Sequence, residues 1–312
     1  MRVPQAIVVD DGGHRQRLDR YLASRGSWGS RSQVQRLIEL GDVEVDGEKA
    51  KASLLLRVGQ TIIVTPAEPQ TPSIVEAEAI DLDIIFEDDQ LMVINKAAGM
   101  VVHPAAGNWR GTLVSALLHH WGTTPPGLDA LRPGLVHRLD KDTSGVLVVA
   151  KDARTLAELA RQFRKREVEK QYVAVVWGRM RQARGVLDSP IGRSPKDRKR
   201  MAVRHGGRSA VTEYEVITPG KTMTYVRLFP RTGRTHQLRV HLSALGHPIV
   251  GDAVYGGVRR GTSTAVIARQ ALHAERLVFT HPGSGERLRF RARQPDDFVA
   301  ARRACAVDLD RA

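Results

Sequence analysis

The sequence predicts an α+β protein with two domains joined by an acidic linker. The chain has 312 residues, which at roughly 100–200 residues per domain suggests two or three domains. Predicted strands predominate and do not alternate regularly with helices, which favours α+β over a doubly wound α/β fold. Hydrophobic residues make up 42% of the sequence, enough to build a buried core.

The first predicted domain covers residues 14–65 and combines two helices with a small sheet. Its second helix follows Ser30 or Ser32 as a candidate cap and carries Arg31 and Arg36 away from its apolar face. Gly41 is the expected end of this helix. Two alternating apolar stretches, 43–47 and 58–64, predict strands.

The predicted linker covers residues 66–83. It contains Pro66, Pro69 and Pro72, and residues 66–95 hold eight acidic residues and no lysine or arginine. Such a change in composition is typical of a domain boundary.

The second predicted domain covers residues 84–294, and we expect residues 295–312 to form a C-terminal tail. Its predicted elements are strands at 83–86, 91–94, 146–150, 172–177 and 225–229 and an amphipathic helix over 156–163.

The formal charge of +14 and the pI of about 10.4 indicate a polyanionic partner. Residues 161–208 contain fifteen basic and four acidic residues, and a basic loop there makes Arg198, Lys199 and Arg200 candidates for phosphate contact. A solvated charged surface is the alternative. The chain lacks a long apolar run and a basic helix with an aromatic face, so nucleic acid is favoured over a membrane. The N-terminus lacks a secretion signal, and we expect a cytoplasmic protein.

The common cofactor motifs are missing from the sequence. Cys305 is the single cysteine, which excludes a disulfide framework and a cysteine-rich zinc site. Glu215 occupies the first glycine position of a possible P-loop, and no G-x-G-x-x-G, G-x-S-x-G or H-E-x-x-H occurs. We therefore expect neither a cofactor nor a metal ion.

The most informative segment is 134–145, which places Asp140 among His137, Arg138 and Lys141. Residues 142–145 are turn formers, so a purely structural turn is one interpretation. A carboxylate flanked by cations also suits a nucleophile or a base. The residue chemistry alone leaves both interpretations open.

Residues 137–145 resemble the H-R-L-D-x-x-T-S-G signature of the RluA-type pseudouridine synthases. Further segments are similar to motifs of the same family, and residues 14–65 resemble the S4 RNA-binding domain that the RluD-like branch carries in front. These segments are V-V-H-P-A-A-G-N at 101–108, K-Q-Y-V-A at 170–174, R-T-G-R-T-H-Q-L-R-V-H at 231–241 and H-P-I-V-G-D at 247–252. The resemblance covers about 14–294 in the family's order.

The resemblance implies a mixed, mainly antiparallel sheet and the isomerisation of uridine to pseudouridine in RNA, without cofactor or metal. Asp140 would be the nucleophile, by attack at C1′, addition at C6 or proton removal at C2′, and these routes stay open. Arg239 would pair with Asp140 through its bidentate guanidinium. Tyr172 would stack on the uracil and take the C5 proton, directly or through water.

The same resemblance assigns the remaining candidate residues. Arg138 would fill the gap left by the flipped base, with His137 beside it. The S4-like helix would hold RNA backbone through Arg31 and Arg36. His103, Asn108 and Leu238 would line the pocket.

The favoured function is a synthase acting on large-subunit ribosomal RNA, free or within the assembling subunit, as a monomer. A transfer RNA pseudouridine synthase is one alternative, and a non-catalytic S4-type RNA-binding or ribosome-assembly protein is another. An S4-bearing methyltransferase would need an adenosylmethionine loop that the sequence lacks.

Overall fold

A computed structural model describes residues 4–25, 28, 31–65, 75–104, 108–129, 132–195, 197, 200–256 and 267–310. The chain forms two compact units, Met1–Ile74 and Val75–Ala312, and each is described by itself.

The first unit combines two helices with a four-stranded antiparallel sheet of order β1-β4-β2-β3. Its elements are β1 (Gln5–Val8), α1 (Leu18–Ser24), α2 (Arg31–Leu40), β2 (Val43–Val45), β3 (Glu48–Lys49) and β4 (Thr61–Val64). Leu18, Leu22 and Val34 of the helices belong to one buried cluster with Ile62 of β4. The apolar periodicity of the sequence thus marks the residues that form this core.

The second unit is built on a large sheet of order β5-β6-β7-β14-β8-β13-β12-β9, with β15 beside β14. Its strands are β5 (Ile84–Glu87), β6 (Leu91–Lys96), β7 (Ser144–Ala150), β8 (Glu169–Trp177), β9 (Arg184–Asp188), β12 (Val211–Thr218), β13 (Met223–Pro230), β14 (Leu272–Thr280) and β15 (Arg287–Arg291), and β10 (Ile191–Arg193) and β11 (Met201–Val203) form a separate hairpin. In this sheet only β7 and β14 pair in parallel among the described strands. The predicted α+β class with a mixed, mainly antiparallel sheet is confirmed.

Two hydrophobic cores lie side by side in the second unit. Its helices are α3 (Leu113–Trp121), α4 (Ala153–Lys165), α5 (Gln237–Ala244) and α6 (Asp296–Asp310). One core centres on β6, β7 and α3, and the other on β8, β13 and α5. Tyr172 packs against both cores, which places it between the two halves of the sheet.

The C-terminal residues differ from the expected tail. They form α6, and its Phe298, Ala301 and Cys305 are fully buried in the second of these cores. These three side chains recur at helical spacing, which brings them to one face. Within the described ranges, no helix combines the length and the apolar character that crossing a bilayer requires.

The expected linker also differs in part. Residues 66–74 lie outside the described ranges, whereas residues 75–83 form hydrogen bonds within the second unit. The N–H of Glu78 donates to the carbonyl of Ser115, and its carboxylate accepts the N–H of Gly111. Glu76 pairs with Arg110 at 2.7 Å. Some acidic residues of the predicted linker therefore bind the second unit.

Candidate active site

Asp140 lies in a segment whose ends are fixed by two glycines. Gly134 and Gly145 have φ angles of +68° and +122°. A Cβ at Gly145 would lie 2.2 Å from the carbonyl oxygen of Ala274 on β14, and one at Gly134 would lie 1.9 Å from the carbonyl oxygen of Ala150. Both positions require glycine, and together they set where this segment enters the sheet.

A buried lysine holds the segment from behind. The Nζ of Lys96 donates to the carbonyl oxygens of Ala97, Met100 and Lys141 at 2.7, 2.8 and 3.0 Å. Burial lowers the pKa of Lys96 to about 7, although the charges of Asp142 and Asp140 oppose this effect. The carbonyl of Lys141, next to Asp140, is therefore anchored to β6 by a side chain that uses all three of its donors when it is protonated.

Arg239 of α5 is buried and binds two aspartates. Its Nη1 donates to Oδ2 of Asp140 at 3.0 Å, while Nε and Nη2 donate to the two oxygens of Asp252 at 2.7 and 3.0 Å. Burial lowers the pKa of Arg239, but its two carboxylate partners outweigh burial and the net pKa is raised. The predicted bidentate pairing with Asp140 is therefore wrong: the fork lies on Asp252, and Asp140 accepts one N–H.

Asp252 is a site residue that the sequence reasoning missed. Its side chain is fully buried, and its Oδ1 also accepts the backbone N–H groups of Val254 and Tyr255, both at 3.0 Å. A lone carboxylate at the end of the H-P-I-V-G-D segment was the available signal. Its role is to fix the guanidinium that reaches Asp140.

His236 and Tyr255 form a second arm towards Asp140. His236 has a left-handed backbone (φ 55°), its Nε2 lies 3.9 Å from Oδ1 of Asp140, and its Nδ1 lies 2.8 Å from the Tyr255 hydroxyl. That hydroxyl accepts the N–H of Met201, so its own proton is free to go to Nδ1 of His236. Burial lowers the pKa of His236, which favours a neutral ring with its N–H on Nε2, facing Asp140.

Tyr172 of β8 lines the same cavity as Asp140. Burial raises the pKa of its phenol, and the charge of Asp140 raises it further. The hydroxyl is therefore protonated at neutral pH, and it can accept a proton only while it passes its own proton on.

His137 lines the cavity, but its surroundings do not fit a cationic RNA contact. Its Nε2 accepts the N–H of Val148 at 3.1 Å, and its ring stacks on Phe163 with centroids 4.6 Å apart. Burial lowers the pKa of His137 to about 3, and Lys170 contributes to this shift. We correct its predicted role: His137 is a neutral ring that holds the segment before Asp140 against β7 and α4.

The cavity has a volume of about 510 Å³ and lies between the two cores. Leu238, Phe163 and Leu272 contribute apolar walls. Seven of the described basic side chains line it: Arg138, Arg164, Arg166, Lys170, Arg231, Arg234 and Arg239. Among the described lining residues, Asp140 is the one carboxylate.

The structure brings Arg138 and Leu238 to this cavity, but not His103 or Asn108, which are not among its described lining residues. Asn108 instead accepts a hydrogen bond from Nζ of Lys141 at 3.1 Å. Arg138 is exposed and forms no hydrogen bond or ion pair within the described part of the chain.

The other predicted RNA contacts have different surroundings. Arg31 of the first unit donates two hydrogen bonds to the buried Asp19, at 3.0 and 2.8 Å. The guanidinium of Arg200 lies over the ring of Tyr255, 5.2 Å from its centroid. The side chain of Arg36 and residues Arg198 and Lys199 lie outside the described residues.

Comparisons with known proteins agree with one another. A family model described as RNA pseudouridylate synthase matches residues 90–244, and an S4 domain model matches residues 16–62. The ribosomal large subunit pseudouridine synthase D of Nitrosomonas europaea is 45% identical, with 94% of this chain and 86% of that protein covered. The uncharacterized RNA pseudouridine synthase YlyB of Bacillus subtilis is 43% identical, with 94% and 95% covered.

A solved structure gives the same result. Human RNA Pseudouridylate Synthase Domain Containing 1 superimposes with a TM-score of 0.57 at 29% identity, covering 73% of this chain and 87% of that chain.

Proposed function

The chain belongs to the RNA pseudouridylate synthase family, and from this premise we propose that it isomerises uridines of large-subunit ribosomal RNA with Asp140 as the reacting carboxylate. One observation carries the assignment of Asp140. Among seven basic side chains it is the one carboxylate of the described lining, and Arg239 binds one of its oxygens. Its Oδ1 is left for the substrate.

The isomerisation exchanges one bond for another. The N1–C1′ bond breaks, the uracil turns, and a C5–C1′ bond forms, while C5 loses a proton and N1 gains one. Breaking the glycosidic bond builds positive charge on the sugar, and a carboxylate stabilises that charge, attacks a carbon or removes a sugar proton. Each of these roles needs an oxygen of Asp140 that is free on the cavity side.

Tyr172 and Leu238 would hold the uracil while it turns. The protonated phenol of Tyr172 provides a flat face for the base. Because its pKa is raised, we propose that its hydroxyl relays the C5 proton and does not act as a phenolate base. Leu238 and Leu272 would keep water from the reacting carbon.

Arg138 would occupy the position that the flipped nucleotide leaves. The target base must leave the stack before it can enter a cavity of this size. Arg138 is exposed at the edge of the cavity without a described partner, so its planar guanidinium is free to stack and to bind phosphate.

The substrate assignment rests on three observations, one from a relative and two from the chain itself. The relative from Nitrosomonas europaea is named for the large ribosomal subunit, an S4 domain precedes the synthase domain, and the net charge of +14 suits RNA. We further propose a cytoplasmic monomer that acts on free RNA or on an assembling subunit.

Tritium release from RNA labelled at uridine C5 tests the proposal, since that hydrogen is lost during isomerisation. Wild type, Asp140→Asn and the control Asp142→Asn would each be incubated with large-subunit ribosomal RNA, with transfer RNA and with assembling large-subunit particles. We expect wild type and Asp142→Asn to release tritium from ribosomal RNA or particles, and Asp140→Asn to release none.

Other results would contradict specific parts of the proposal. Release from transfer RNA alone would overturn the substrate. Release by Asp140→Asn would overturn the role of the carboxylate. Tight binding of wild type to all three substrates without tritium release would favour a binding protein.

A further inference from the structure

Lys170 is a cavity lysine for which the proposed reaction has no task. It lies on β8 two residues before Tyr172, so the two side chains share one face of the strand, and both line the cavity. Gln171 points to the other face, where its Nε2 donates to Glu275 at 2.7 Å. The strand therefore presents an ammonium group beside the ring that would hold the base.

This ammonium group has no partner in the described part of the chain, although it is half-buried. Two other half-buried or buried lysines of the unit differ. Lys96 donates to three carbonyl oxygens, and Lys151 binds Glu87 at 3.1 Å and the carbonyl of Asp88 at 2.7 Å. A lysine that is partly removed from water without a hydrogen-bond acceptor indicates that a ligand supplies one.

Neighbouring cations disfavour the charged form of Lys170 as long as no anion is bound beside it. Burial lowers the pKa of Lys170 to about 8, and the charges of Arg166 and Arg231 contribute. Burial also lowers the pKa of Arg234, with contributions from Arg208 and Arg166. These groups reduce one another's affinity for protons because they are like charges at close range.

The two carboxylates that act on Arg231 are already engaged. Glu213 binds the guanidinium fork of Arg231 at 2.8 and 2.7 Å, and Glu169 binds Arg287 at 2.9 Å. Among the described residues, neither Arg166 nor Lys170 has an ion-pair partner, and the side chain of Arg234 donates to the carbonyl of Ser209.

We propose that Lys170, together with Arg166 and Arg234, forms a phosphate site that holds an RNA backbone phosphate next to the flipped uridine. The inference rests on the proposed function, because that function brings a phosphodiester chain to this cavity. A phosphate oxygen supplies the acceptor that Lys170 lacks, and its charge relieves the repulsion among the three cations. Lys170 thus anchors the sugar-phosphate backbone while Tyr172, on the same face, holds the base.

The test compares Lys170→Gln and Lys170→Arg with Lys221→Gln, which removes an equal charge from an exposed turn outside the described cavity lining. Tritium release from ribosomal RNA gives kcat and KM, and binding is measured in the Asp140→Asn background. We expect Lys170→Gln to raise KM and Kd about tenfold with little change in kcat. The slope of log K against log salt should fall by about 0.7 to 0.9, the value for one lost phosphate contact.

A pH profile separates charge from structure. A lysine with a pKa of about 8 binds phosphate only below that pH, so kcat/KM of wild type should fall as the pH rises from 7 to 9. Lys170→Arg should lack the part of this fall that centres near pH 8, because a guanidinium stays charged, whereas any contribution from Lys96, whose pKa is about 7, is the same in both proteins. The other charged or titratable groups of the described cavity lining are unchanged in this comparison: Arg164 and Arg166 from the end of α4, Arg231 and Arg234 from the loop after β13, His137, Arg138 and Asp140 from the segment before β7, Tyr172 from β8, and His236 and Arg239 from the start of α5.

The outcomes separate this inference from the proposed function. Wild type that releases no tritium from any RNA would refute the proposed function. Active wild type with a Lys170→Gln variant whose KM and salt slope match those of Lys221→Gln would refute the phosphate site, and so would a loss confined to kcat. If Lys170→Gln fails to fold, Arg166→Gln and Arg234→Gln carry the same expectation for KM and salt slope.

Discussion

Each of the two units contains an aspartate that is bound by arginine. The two aspartates differ in whether a carboxylate oxygen remains open to a further hydrogen-bond donor or a substrate. Asp19 of α1 is fully buried and accepts hydrogen bonds from Arg17, Arg31 and Gln35. Asp140 keeps 19% of its side chain exposed and accepts one N–H from Arg239.

This difference distinguishes a carboxylate that holds the fold together from one that is open to a substrate. Asp19 is fully buried and accepts five N–H bonds, so it has no oxygen open to a substrate, and its contacts join α1 to α2. Asp252 resembles Asp19 in this respect, since it is fully buried and accepts four N–H groups. By holding Arg239, Asp252 lets Asp140 be oriented by one contact and remain open on the cavity side.

Asp140→Asn should give the largest loss of activity, and it tests most directly whether Asp140 differs from Asp19. We expect kcat to fall by more than about 10³-fold, because an amide is a poor nucleophile and base. The melting temperature should change little, because Asp140 is partly exposed and loses one charged contact. Single-turnover kinetics and thermal unfolding of the same preparation measure both quantities. A large loss of stability would place Asp140 in the same class as Asp19.

Asp252→Asn should reduce both activity and stability. Removing one partner of a buried ion pair typically costs about 3–5 kcal/mol, and here it also leaves Arg239 without its fork. We expect kcat to fall by about 10²-fold with a smaller change in KM, since the substrate does not need to touch Asp252. Asp142→Asn is the control, because it makes the same chemical change at an aspartate that is not among the described lining residues of the cavity. An unchanged kcat in a destabilised Asp252→Asn would show that Asp252 has a structural role alone.

The sequence predicted which residues meet in the cavity much better than it predicted their contacts. Sequence motifs identified five residues that line the cavity: Arg138, Asp140, Tyr172, Leu238 and Arg239. A motif marks the residues of one site even when they are far apart along the chain. The partner of the Arg239 fork depends on how the loop after α5 folds back, which no spacing in the sequence gives. The sequence motif therefore identified the ion pair between Arg239 and Asp140, but the bidentate contact of Arg239 is with Asp252.

The same limit explains His137 and the C-terminal residues. Beside Arg138 and Asp140, His137 suggested RNA contact, but three-dimensional packing gives its Nε2 a backbone N–H and its ring the face of Phe163. Nine of the fifteen residues of α6 are apolar, and they occur in consecutive runs and not at a single helical spacing, so the buried face is evident only when the core is seen. The α+β class was predictable because the alternation of elements is a property of the chain itself.

Asp19→Asn tests the structural side of the comparison. We expect the first unit to lose about 3 kcal/mol, because Arg17 and Arg31 then face an amide in place of a buried charge. The kcat on RNA should be unchanged at temperatures where the unit is folded, since Asp19 lies in the other unit from the cavity. Hydrogen exchange of peptides from α1 and α2, compared with peptides from β7, measures where protection is lost. Faster exchange of β7 to the same extent would contradict this expectation.

Acid should destabilise the first unit of the wild type in the same way as Asp19→Asn. The loss of stability should be smaller than in the variant, because Asp19 is only partly protonated at any accessible pH. The hydrogen bond from Arg17 lowers the pKa of Asp19 far below its ordinary value, and Arg31 and Gln35 add to the shift although burial opposes it. A lowered pKa in the folded state stabilises the protein above the unfolded value of about 4, and this stabilisation is lost as the pH falls further. Protection of α1 and α2 in wild type should therefore approach that of Asp19→Asn between about pH 4 and pH 2, while the two proteins differ by a constant amount above pH 5. A difference that persisted undiminished at pH 2 would mean that packing, and not the charge of Asp19, joins the two helices.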